Sequence, residues 1–337
     1  MNSYLDKVVI NLKNKVLKIL KDSEDFISGE EISKEFHMTR AAIWKYINML
    51  KEDGYVIESI PRKGYKLVYL PDILTYEEVG KYLDTDFIGR NIYYFDLINS
   101  TNIKAKEIAL EEKEGTVLVS EEQVGGKGRL GRQWLSPKGK GIWMSIILKP
   151  NVDPMKVAKI TLLGAAAVHK ALANMNIKSQ IKWPNDILID GKKISGILTE
   201  MSAELNMINY VIMGIGINVN LDEEDIPEDL KDKATSIKII EGKEIDRKRL
   251  LANILNELEK LYIDFRDKDT ITKAIDICKA NSILIGKEVR LIRGEEIRFG
   301  KALDINEEGE LVVEFEYGAI ENIYSGEVSV RGLEGYV

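Results

Sequence analysis

Near its middle the chain reads Gly125-Gly126-Lys127-Gly128-Arg129-Leu130-Gly131-Arg132-Gln133-Trp134. The stretch contains G-x-G-x-x-G, the spacing typical of a dinucleotide-binding Rossmann fold. In a Rossmann fold these glycines lead into a helix, whereas here they are followed by Leu135-Ser136-Pro137 and another glycine-containing turn. The context therefore argues against a Rossmann fold, and the sequence contains no Walker A pattern, G-x-x-x-x-G-K-[ST].

The glycine-rich stretch carries three cations with little side-chain bulk between them. Lys127, Arg129 and Arg132 alternate with glycines, which allow backbone N–H groups to approach an anion closely. Guanidinium groups bind phosphate oxygens through paired hydrogen bonds. The pattern favours a loop that wraps an anionic ligand, and a solvated basic loop is the alternative.

Strand-like and helical segments alternate irregularly on both sides of this loop. Apolar patterning predicts strands at residues 117–120, 142–148, 187–189, 194–201 and 209–217. It predicts helices at residues 102–110, 154–175 and 247–265. Because several strands follow one another without an intervening helix, we predict an α+β fold whose central sheet is mainly antiparallel.

The N-terminal segment predicts three helices. Apolar residues recur at helical spacing over residues 8–20, and Ser28 with Glu31 forms a capping box at the start of a second helix. Thr39 can cap a third helix, which Gly54 ends. Two strands, residues 55–60 and 65–70, flank a basic turn. This order of elements predicts a winged helix-turn-helix.

Such a domain would offer its third helix and its wing to DNA. The residues expected at the DNA are Thr39, Arg40, Trp44, Lys45, Arg62 and Lys63. Residues 1–70 carry 12 Lys and Arg against 10 Asp and Glu, a balance of +2, so the remainder of a chain of net charge -7 carries -9. This asymmetry favours a DNA-contacting domain, and a module that has lost DNA binding is the alternative.

The C-terminal segment predicts a small β-barrel. After Gly286, five short strands are separated by Gly294, residues 306–309, Gly318 and Gly326. The chain is thus divided into three domains, residues 1–71, 72–283 and 284–337.

Composition excludes several classes of protein. The chain has no uninterrupted apolar stretch of the roughly 18 to 20 residues that cross a bilayer, and no signal-peptide pattern. We therefore expect a cytoplasmic protein without a membrane partner. A single cysteine, Cys278, excludes an internal disulfide and a cysteine-based zinc site, and the two histidines, His37 and His169, lie far apart.

Four further motifs accompany the glycine-rich stretch: Ser100-Thr101-Asn102, Lys182-Trp183-Pro184-Asn185-Asp186, Gly191-Lys192-Lys193-Ile194-Ser195-Gly196-Ile197-Leu198 and Gly214-Ile215-Gly216-Ile217-Asn218. In order and spacing, the five motifs resemble those of the biotin protein ligases. The predicted winged helix and C-terminal barrel, SH3-like in that family, resemble the bifunctional form, the biotin operon repressor. The resemblance covers nearly the whole chain. One departure is Lys127, where the family usually has arginine, so charge is kept and paired hydrogen bonding is lost.

The resemblance implies a set of site residues. Those implied for biotin are Ser100, Thr101, Asn102, Gln123, Gly126, Lys127, Gly128, Arg129, Lys193, Gly196, Gly214 and Gly216. Those implied for ATP and the adenylate are Arg129, Arg132, Trp134, Lys182, Asn185, Lys193 and Asn218. The catalytic residues would be Lys193, Arg129 and Lys182. Hydroxyl and amide groups suit the urea-like ring of biotin, which presents both donors and an acceptor.

The resemblance also implies the activity. An ATP-dependent ligase, with Mg2+ on the triphosphate, would form biotinyl-5'-AMP and transfer biotin to a lysine of a biotin carboxyl carrier protein of a biotin-dependent carboxylase. A homodimer would repress biotin genes at operator DNA with biotinyl-5'-AMP as corepressor. The sequence offers no Ser-His-Asp or Cys-His arrangement, which agrees with an adenylate rather than an acyl-enzyme. Asp186 is one candidate base for the acceptor amine, and the sequence identifies no metal ligands.

Two other functions remain open. A lipoate protein ligase-like enzyme is disfavoured by the winged helix and by the Gly-Lys-Gly-Arg loop. A non-catalytic, biotin-responsive repressor is disfavoured by the retention of Arg129, Lys182 and Lys193. Dimerisation would depend on ligand if ligand orders residues 125–132 and 221–234 beside the dimer surface, and a constitutive dimer is the alternative.

Overall fold

The computed structural model describes residues 2–52, 54–69, 71–204, 207–325 and 329–332, with side chains from residue 12 onward. The chain divides into two compact units, Met1–Asp72 and Ile73–Val337. Two sequence predictions, the strand end at Leu70 and the strand break at Gly326, lie outside the described residues.

The first unit contains three helices followed by an antiparallel hairpin. Its elements are α1 (Asn2–Asp22), α2 (Gly29–Glu35), α3 (Arg40–Glu52), β1 (Val56–Ile60) and β2 (Gly64–Tyr69). The predicted capping box is present, because Glu31 N donates to Ser28 Oγ at 3.1 Å and Ser28 N donates to Glu31 Oε2 at 2.9 Å. These elements confirm the predicted winged helix-turn-helix.

The hairpin of this unit depends on one glycine. Gly64 follows the turn with φ of +113°, in the left-handed region that favours glycine. A Cβ at Gly64 would also fall 2.0 Å from the carbonyl oxygen of Ile27. Ile27 pairs with Tyr65 in two backbone hydrogen bonds of 2.9 Å, so the close approach attaches the hairpin to the segment before α2.

A seven-stranded sheet forms the centre of the second unit. Its strands are β3 (Ile92–Ile98), β4 (Val117–Gln123), β5 (Gly141–Leu148), β6 (Gln180–Lys182), β7 (Asp186–Ile189), β8 (Lys192–Glu204) and β9 (Met207–Asn218). Their spatial order is β3-β4-β5-β9-β8-β7-β6. Of the described pairs, β3 and β4 run parallel and all the others antiparallel, which confirms a mainly antiparallel sheet. Two of these strands, β3 and β6, were not predicted.

The helices described in the second unit are α4 (Tyr76–Val79), α5 (Thr101–Ile108), α6 (Val157–Ala173), α7 (Ile237–Glu241), α8 (Arg247–Lys268) and α9 (Thr272–Ala280). Of these, α4, α5, α6 and α8 contact the seven-stranded sheet. The apolar helix α6 contacts β8 and β9 on one side and α8 and α9 on the other. Strand β5 is buried along its whole length. The main core of the unit therefore lies between the sheet and α6.

The C-terminal part of the second unit is an antiparallel sheet in the order β13-β12-β11-β10-β14. Its strands are β10 (Glu288–Arg293), β11 (Glu296–Ile305), β12 (Leu311–Glu314), β13 (Ile320–Ile323) and β14 (Ser329–Gly332). The five predicted short strands are confirmed. Trp183 Nε1 donates to the carbonyl of Gly309 at 2.9 Å, which attaches this sheet to the turn between β6 and β7.

Candidate active site and nucleic-acid interface

Two cavities of the second unit share part of their walls. The narrow cavity lies among the start of α5, the glycine-rich loop and the middle of β8 and β9. The wide cavity lies among the same loop, the turn between β6 and β7, residues 221–234 and β14. The residues that line both are Gly128, Arg129, Trp134, Asn185 and Lys193. A two-part ligand that occupied both cavities would pass these five residues.

Polar side chains form a connected network beside the narrow cavity. Thr101 N donates to Gln123 Oε1 at 2.8 Å. Ser145 Oγ lies 2.7 Å from Thr101 Oγ1 and 2.6 Å from Asn102 Oδ1. Asn102 Nδ2 donates to Glu200 Oε2 at 2.8 Å. Donors and acceptors held by such partners suit a small ligand that itself carries both kinds of group.

Ser145 and Glu200 take part in this network without having been predicted. The sequence does carry a signal for Ser145. Apart from Trp143, whose indole has a polar nitrogen, Ser145 is the one residue with a polar side chain in the buried segment 142–148. A buried hydroxyl requires a hydrogen-bond partner, which makes such a serine a candidate for a polar network. Glu200 carries no comparable signal, since it lies on an alternating, partly exposed part of β8.

Glycines on β9 allow side chains to approach the floor of the narrow cavity. A Cβ at Gly214 would fall 2.2 Å from Asn102 Oδ1, and one at Gly216 would fall 2.6 Å from the indole of Trp134. Either methyl group would displace a residue of the cavity wall. Gly126 behaves differently, because it is buried and is not among the described residues that line either cavity.

The glycine-rich loop is a small hairpin. Trp134 N donates to Gly126 O at 2.9 Å, and Gly128 N donates to Arg132 O at 2.7 Å. Leu130 and Gly131 form its tip with φ of +56° and +74°. A residue other than glycine rarely adopts a positive φ, so the tip at Leu130 is strained.

Arg129 ties the hairpin to two other parts of the unit. Its Nη1 donates to Asn185 Oδ1 at 2.8 Å, and its Nη2 donates to the carbonyl of Ser325 at 2.7 Å. The guanidinium therefore lies between the turn after β6 and the C-terminal sheet. Arg129 lines both cavities, so it lies at their junction.

Lys193 also lies at the junction of the two cavities, since it lines both. Its Nζ is 2.6 Å from Asp186 Oδ1 and 5.1 Å from the ring centroid of Trp134. A carboxylate and an aromatic face thus hold the ammonium group at the junction. An anion entering from either cavity would meet this cation.

Lys182 is a buried cation beside the wide cavity, with 3% of its surface exposed. Burial lowers its pKa to about 7, since the charged form is poorly solvated there. The neighbouring Asp186 opposes this shift, while the cations Lys193, Arg331 and Arg132 add to it. Several cations close to one another suit a ligand with several negative charges.

The other wall of the wide cavity is apolar. Leu221, Ile226 and Leu230 line it and pack with Trp134 and Trp143. The two indole rings meet edge to face at a centroid distance of 6.5 Å. An apolar wall facing a cluster of cations suits a nucleotide, which combines a flat base with phosphates.

The structure brings nearly all predicted site residues to the cavities. Those predicted for the nucleotide, all of which line the wide cavity, are Arg129, Arg132, Trp134, Lys182, Asn185, Lys193 and Asn218. Of those predicted for biotin, all except Gly126 line the narrow cavity. Asn218 Nδ2 is engaged by the carbonyl of Thr235 at 3.1 Å. The contacts of these residues with ligands stay predictions.

In the first unit, the residues predicted to contact DNA are all exposed: Thr39, Arg40, Trp44, Lys45, Arg62 and Lys63. Trp44 exposes 61% of its surface, which is unusual for a large apolar side chain. Arg40 forms an ion pair with Glu30 of α2. The exposed face of α3 and the turn between β1 and β2 are therefore the surfaces available to a nucleic acid.

Two general properties concern the described residues. None of their helices is both long enough and apolar enough to cross a membrane. No group of three or more histidine, cysteine, aspartate or glutamate side chains among them could hold a metal ion.

Comparison with known proteins gives matches to all parts of the chain. Family models match residues 13–66 (HTH domain), 94–218 (Biotin/lipoate A/B protein ligase family) and 284–331 (Biotin protein ligase C terminal domain). The bifunctional ligase/repressor BirA of Bacillus subtilis is 40% identical over 332 residues, which cover 98% of this chain and 100% of that protein. The chain belongs to the biotin protein ligases.

Other members of the family agree with this assignment. The bifunctional ligase/repressor BirA of Escherichia coli is 27% identical over 321 residues, 95% of this ligase and 97% of that protein. The biotin protein ligase of Aquifex aeolicus, solved in complex with biotin and ATP, has a TM-score of 0.64 and 34% identity. The structural match includes 72% of this ligase and 99% of the Aquifex aeolicus chain. The family expected from the five motifs is thus confirmed.

Proposed function

We propose that the protein uses ATP to join biotin to a lysine of a biotin carboxyl carrier protein, and that it also represses biotin genes. The observation that carries the ligase activity is the pair of cavities that meet at Arg129, Asn185 and Lys193. Biotin would occupy the narrow cavity and the nucleotide the wide one. Their reacting ends, a carboxylate and the α-phosphate, would then meet at the passage between the cavities.

In the first step, a carboxylate oxygen of biotin attacks the α-phosphorus, and pyrophosphate leaves. Two anions must approach each other, so the protein's main contribution is electrostatic and positional. Lys193 would bind both reacting groups, because its ammonium lies at the junction. Arg129 and Lys182 would stabilise the charge on the phosphoryl oxygens from the other sides.

In the second step, the acceptor lysine attacks the acyl carbon of biotinyl-5'-AMP, and AMP leaves. The attacking amine must be neutral and therefore must lose a proton. Asp186 is the carboxylate at the junction, and it is paired with Lys193 in the absence of ligand. Once Lys193 binds the adenylate instead, Asp186 becomes available to accept that proton.

Mg2+ would enter with the triphosphate. Asp186 and Asp225 are the acidic side chains among the described residues that line the wide cavity. Mg2+ typically binds through one or two carboxylates together with phosphate oxygens, so these residues fit an ion that arrives with ATP. Bound there, Mg2+ would neutralise charge on the departing pyrophosphate.

For the repressor activity, the first unit would bind operator DNA through α3 and the turn between β1 and β2. A single N-terminal segment, whose residues 1–70 carry a charge of only +2, binds weakly, so we propose that a homodimer occupies a two-fold symmetric operator. ATP, the carrier protein and operator DNA would all be met in the cytoplasm.

A lipoate ligase is the nearest competing activity, and the polar network around Thr101, Asn102 and Gln123 favours biotin. A dithiolane ring offers no N–H or carbonyl to such a network, and its buried polar groups would then lack partners. The experiment measures pyrophosphate release from ATP with biotin or with lipoate. Release with biotin alone supports the proposal, whereas release with lipoate alone contradicts it.

A further inference from the structure

Glu200 lies beside the narrow cavity but is not among the described residues that line it. It is on β8, and its carboxylate accepts a hydrogen bond from Asn102 Nδ2 at 2.8 Å. Lys106 Nζ forms an ion pair with the same carboxylate at 2.5 Å. Asn102 and Lys106 are four residues apart on α5, so one face of that helix directs both side chains to Glu200. The carboxylate is thus a partner for an amide that does line the cavity.

An ordinary structural role for Glu200 would be to attach α5 to the sheet, but other contacts already do so. Buried residues of α5, of its C-terminal end and of three strands form one apolar cluster: Ala105, Ala109, Leu118, Ile147 and Ile212. Burial of this kind fixes the helix whether or not a partly exposed ion pair is present. The hydrogen bond between Asn102 and Glu200 therefore requires a separate explanation.

The charge on Glu200 fixes the orientation of the Asn102 amide. A carboxylate that is ion-paired with a lysine accepts hydrogen bonds and donates none, so only the amide nitrogen can face it. The amide oxygen must then face the other way, where Ser145 Oγ lies 2.6 Å from Asn102 Oδ1. Gly214 leaves room for this oxygen, because a Cβ there would fall 2.2 Å from it. The amide therefore presents only an acceptor to Ser145.

This orientation determines where two hydroxyl protons point. Ser145 is fully buried, and two oxygen atoms as close as Ser145 Oγ and Asn102 Oδ1 need a proton between them. The amide oxygen carries none, so Ser145 donates its only proton there. Ser145 Oγ also lies 2.7 Å from Thr101 Oγ1, and this second hydrogen bond must use the proton of Thr101.

Thr101 consequently turns a lone pair, and no proton, toward the narrow cavity that it lines. The other acceptor within reach of its hydroxyl, Gln123 Oε1 at 3.2 Å, also belongs to the protein. A ligand group that meets Thr101 should therefore be a donor. A ring N–H of biotin is such a group, whereas a ring oxygen in the same place would set lone pair against lone pair.

We propose that Glu200 and Ser145 are positioning residues that set the direction of hydrogen bonding along a chain of side chains, which we call the polar relay: Glu200, Asn102, Ser145 and Thr101. The relay makes the narrow cavity select a ligand that brings an N–H donor to Thr101. The inference rests on the proposed ligase function and concerns only the choice of the acid. Glu200 and Ser145 act through the other two residues, since neither is among the described residues that line the cavity.

Glu200→Gln tests the relay with little change in shape. Glutamine can either accept from or donate to the Asn102 amide, so the amide can turn and both hydroxyl protons can reverse. The probes are biotin and its two cyclic carbamate analogues, in which oxygen replaces one or the other ring N–H. Calorimetric titration of the full-length chain measures the affinity for each probe in the wild type and in the variant.

We expect Glu200→Gln to bind one of the two carbamates roughly threefold or more tightly than the wild type does, because Thr101 can then donate to the ring oxygen. Affinity for biotin should fall about two- to fivefold, since the productive orientation is no longer the only one. A loss of packing or folding weakens binding of every probe. The gain for one analogue is therefore a result that a merely structural role of Glu200 would not give.

Lys106→Met is the matched control, because it removes the ion pair and keeps the carboxylate that accepts from Asn102. It should leave the three affinities within about twofold of wild type. Ser145→Ala interrupts the relay and frees the Thr101 hydroxyl, so the same carbamate should gain affinity. Adding Glu200→Gln to Ser145→Ala should then change the ratio of biotin to carbamate affinity by less than about twofold.

Three results would overturn the inference. The first is an equal loss, or no change, for all three probes in Glu200→Gln. The second is the Glu200→Gln pattern in Lys106→Met, and the third is a wild type that binds both carbamates as tightly as biotin. Ser145→Ala tests the relay independently should Glu200→Gln fold poorly. A wild-type protein that does not bind biotin would instead contradict the proposed function, so the two failures are distinguishable.

Discussion

Lys193 Nζ lies 2.6 Å from Asp186 Oδ1, and Lys193 lines both cavities at once. The carboxylate holds the ammonium at the junction before any ligand binds. In the proposed reaction, biotin and ATP would each bring an anion to this position, and both would compete with Asp186 for the same cation. The ion pair would therefore prepare Lys193 to stabilise charge in the first step and Asp186 to accept a proton in the second.

Lys193→Met should reduce adenylate formation by roughly 100-fold or more, because a preorganised charge facing the transition state is lost. Stability should change little, since the side chain faces cavities rather than the core. Pyrophosphate release and a thermal melt measure the two effects. Lys192→Met is the matched control, because Lys192 adjoins Lys193 on β8 and is not among the described residues that line either cavity. Activity equal to wild type in Lys193→Met would contradict the site.

Lys182 should take up a proton when ATP binds. Its pKa of about 7 in the free protein leaves most of the lysine neutral at pH 8, and bound phosphates should raise that pKa. Calorimetry at pH 8 in buffers of different ionisation enthalpy should therefore show uptake of roughly 0.5 to one proton. Lys182→Met should abolish the uptake, and Lys233→Met, an exposed lysine on the same cavity, should retain it. Equal uptake in both variants would contradict the assignment.

The same lysine has a consequence for the stability of the free protein. Between pH 7 and the ordinary lysine value of 10.5, the unfolded chain binds more protons at Lys182 than the folded chain does. Its contribution to the free energy of unfolding therefore increases with pH in this window. Urea unfolding at two pH values should show a smaller increase in Lys182→Met than in the wild type.

The sequence predicted the parts of the fold that local patterns specify. The capping box at Ser28 and the apolar stripe of α3 depend on neighbouring residues, and both are present. The edge strand β3 was missed, because its segment Ile92–Ile98 lacks apolar alternation and is stabilised by parallel pairing with β4. Such pairing is non-local, although the isoleucine, tyrosine and phenylalanine residues of the segment do favour a strand.

The site could be predicted to the extent that it lies in motifs. Lys193 and Arg129 belong to contiguous stretches whose residue types indicate anion binding. The partners of these residues could not be derived in the same way, since Ser325 lies 196 positions from the arginine that donates to it. The ion pair between Lys140 and Asp222 joins positions 82 residues apart and has no sequence signature.

Operator binding should depend on Lys45, an exposed residue of α3. Lys45→Ala should weaken binding roughly fivefold or more, because a contact to a base or phosphate is lost. The probe is a duplex selected from random sequence by the wild-type protein with ATP and biotin present. Lys18→Ala, an exposed lysine of α1, is the control, and biotinylation should be normal in both variants. Unchanged operator affinity in Lys45→Ala would contradict the placement of α3 at the DNA, and failure of the wild-type protein to select any duplex would support a module that no longer binds DNA.

Biotinyl-5'-AMP should strengthen dimerisation. If it orders the glycine-rich hairpin and residues 221–234 beside the dimer surface, ligand binding and dimerisation must favour each other equally. A typical coupling of about 1 to 3 kcal/mol corresponds to a roughly five- to 150-fold stronger association. Sedimentation at several protein concentrations, with and without ATP and biotin, measures the association constant of the dimer. An association constant that ignores ligand would indicate a constitutive dimer.

The most direct test of the ligase activity incubates the protein with ATP, Mg2+, biotin and a biotin carboxyl carrier domain, and maps the product by mass spectrometry. We expect one biotinyl group on a single lysine of the carrier, dependent on ATP and absent when Lys193→Met replaces the wild type. A carrier that stays unmodified while the wild-type protein binds biotin would contradict the ligase activity and would indicate a repressor without it.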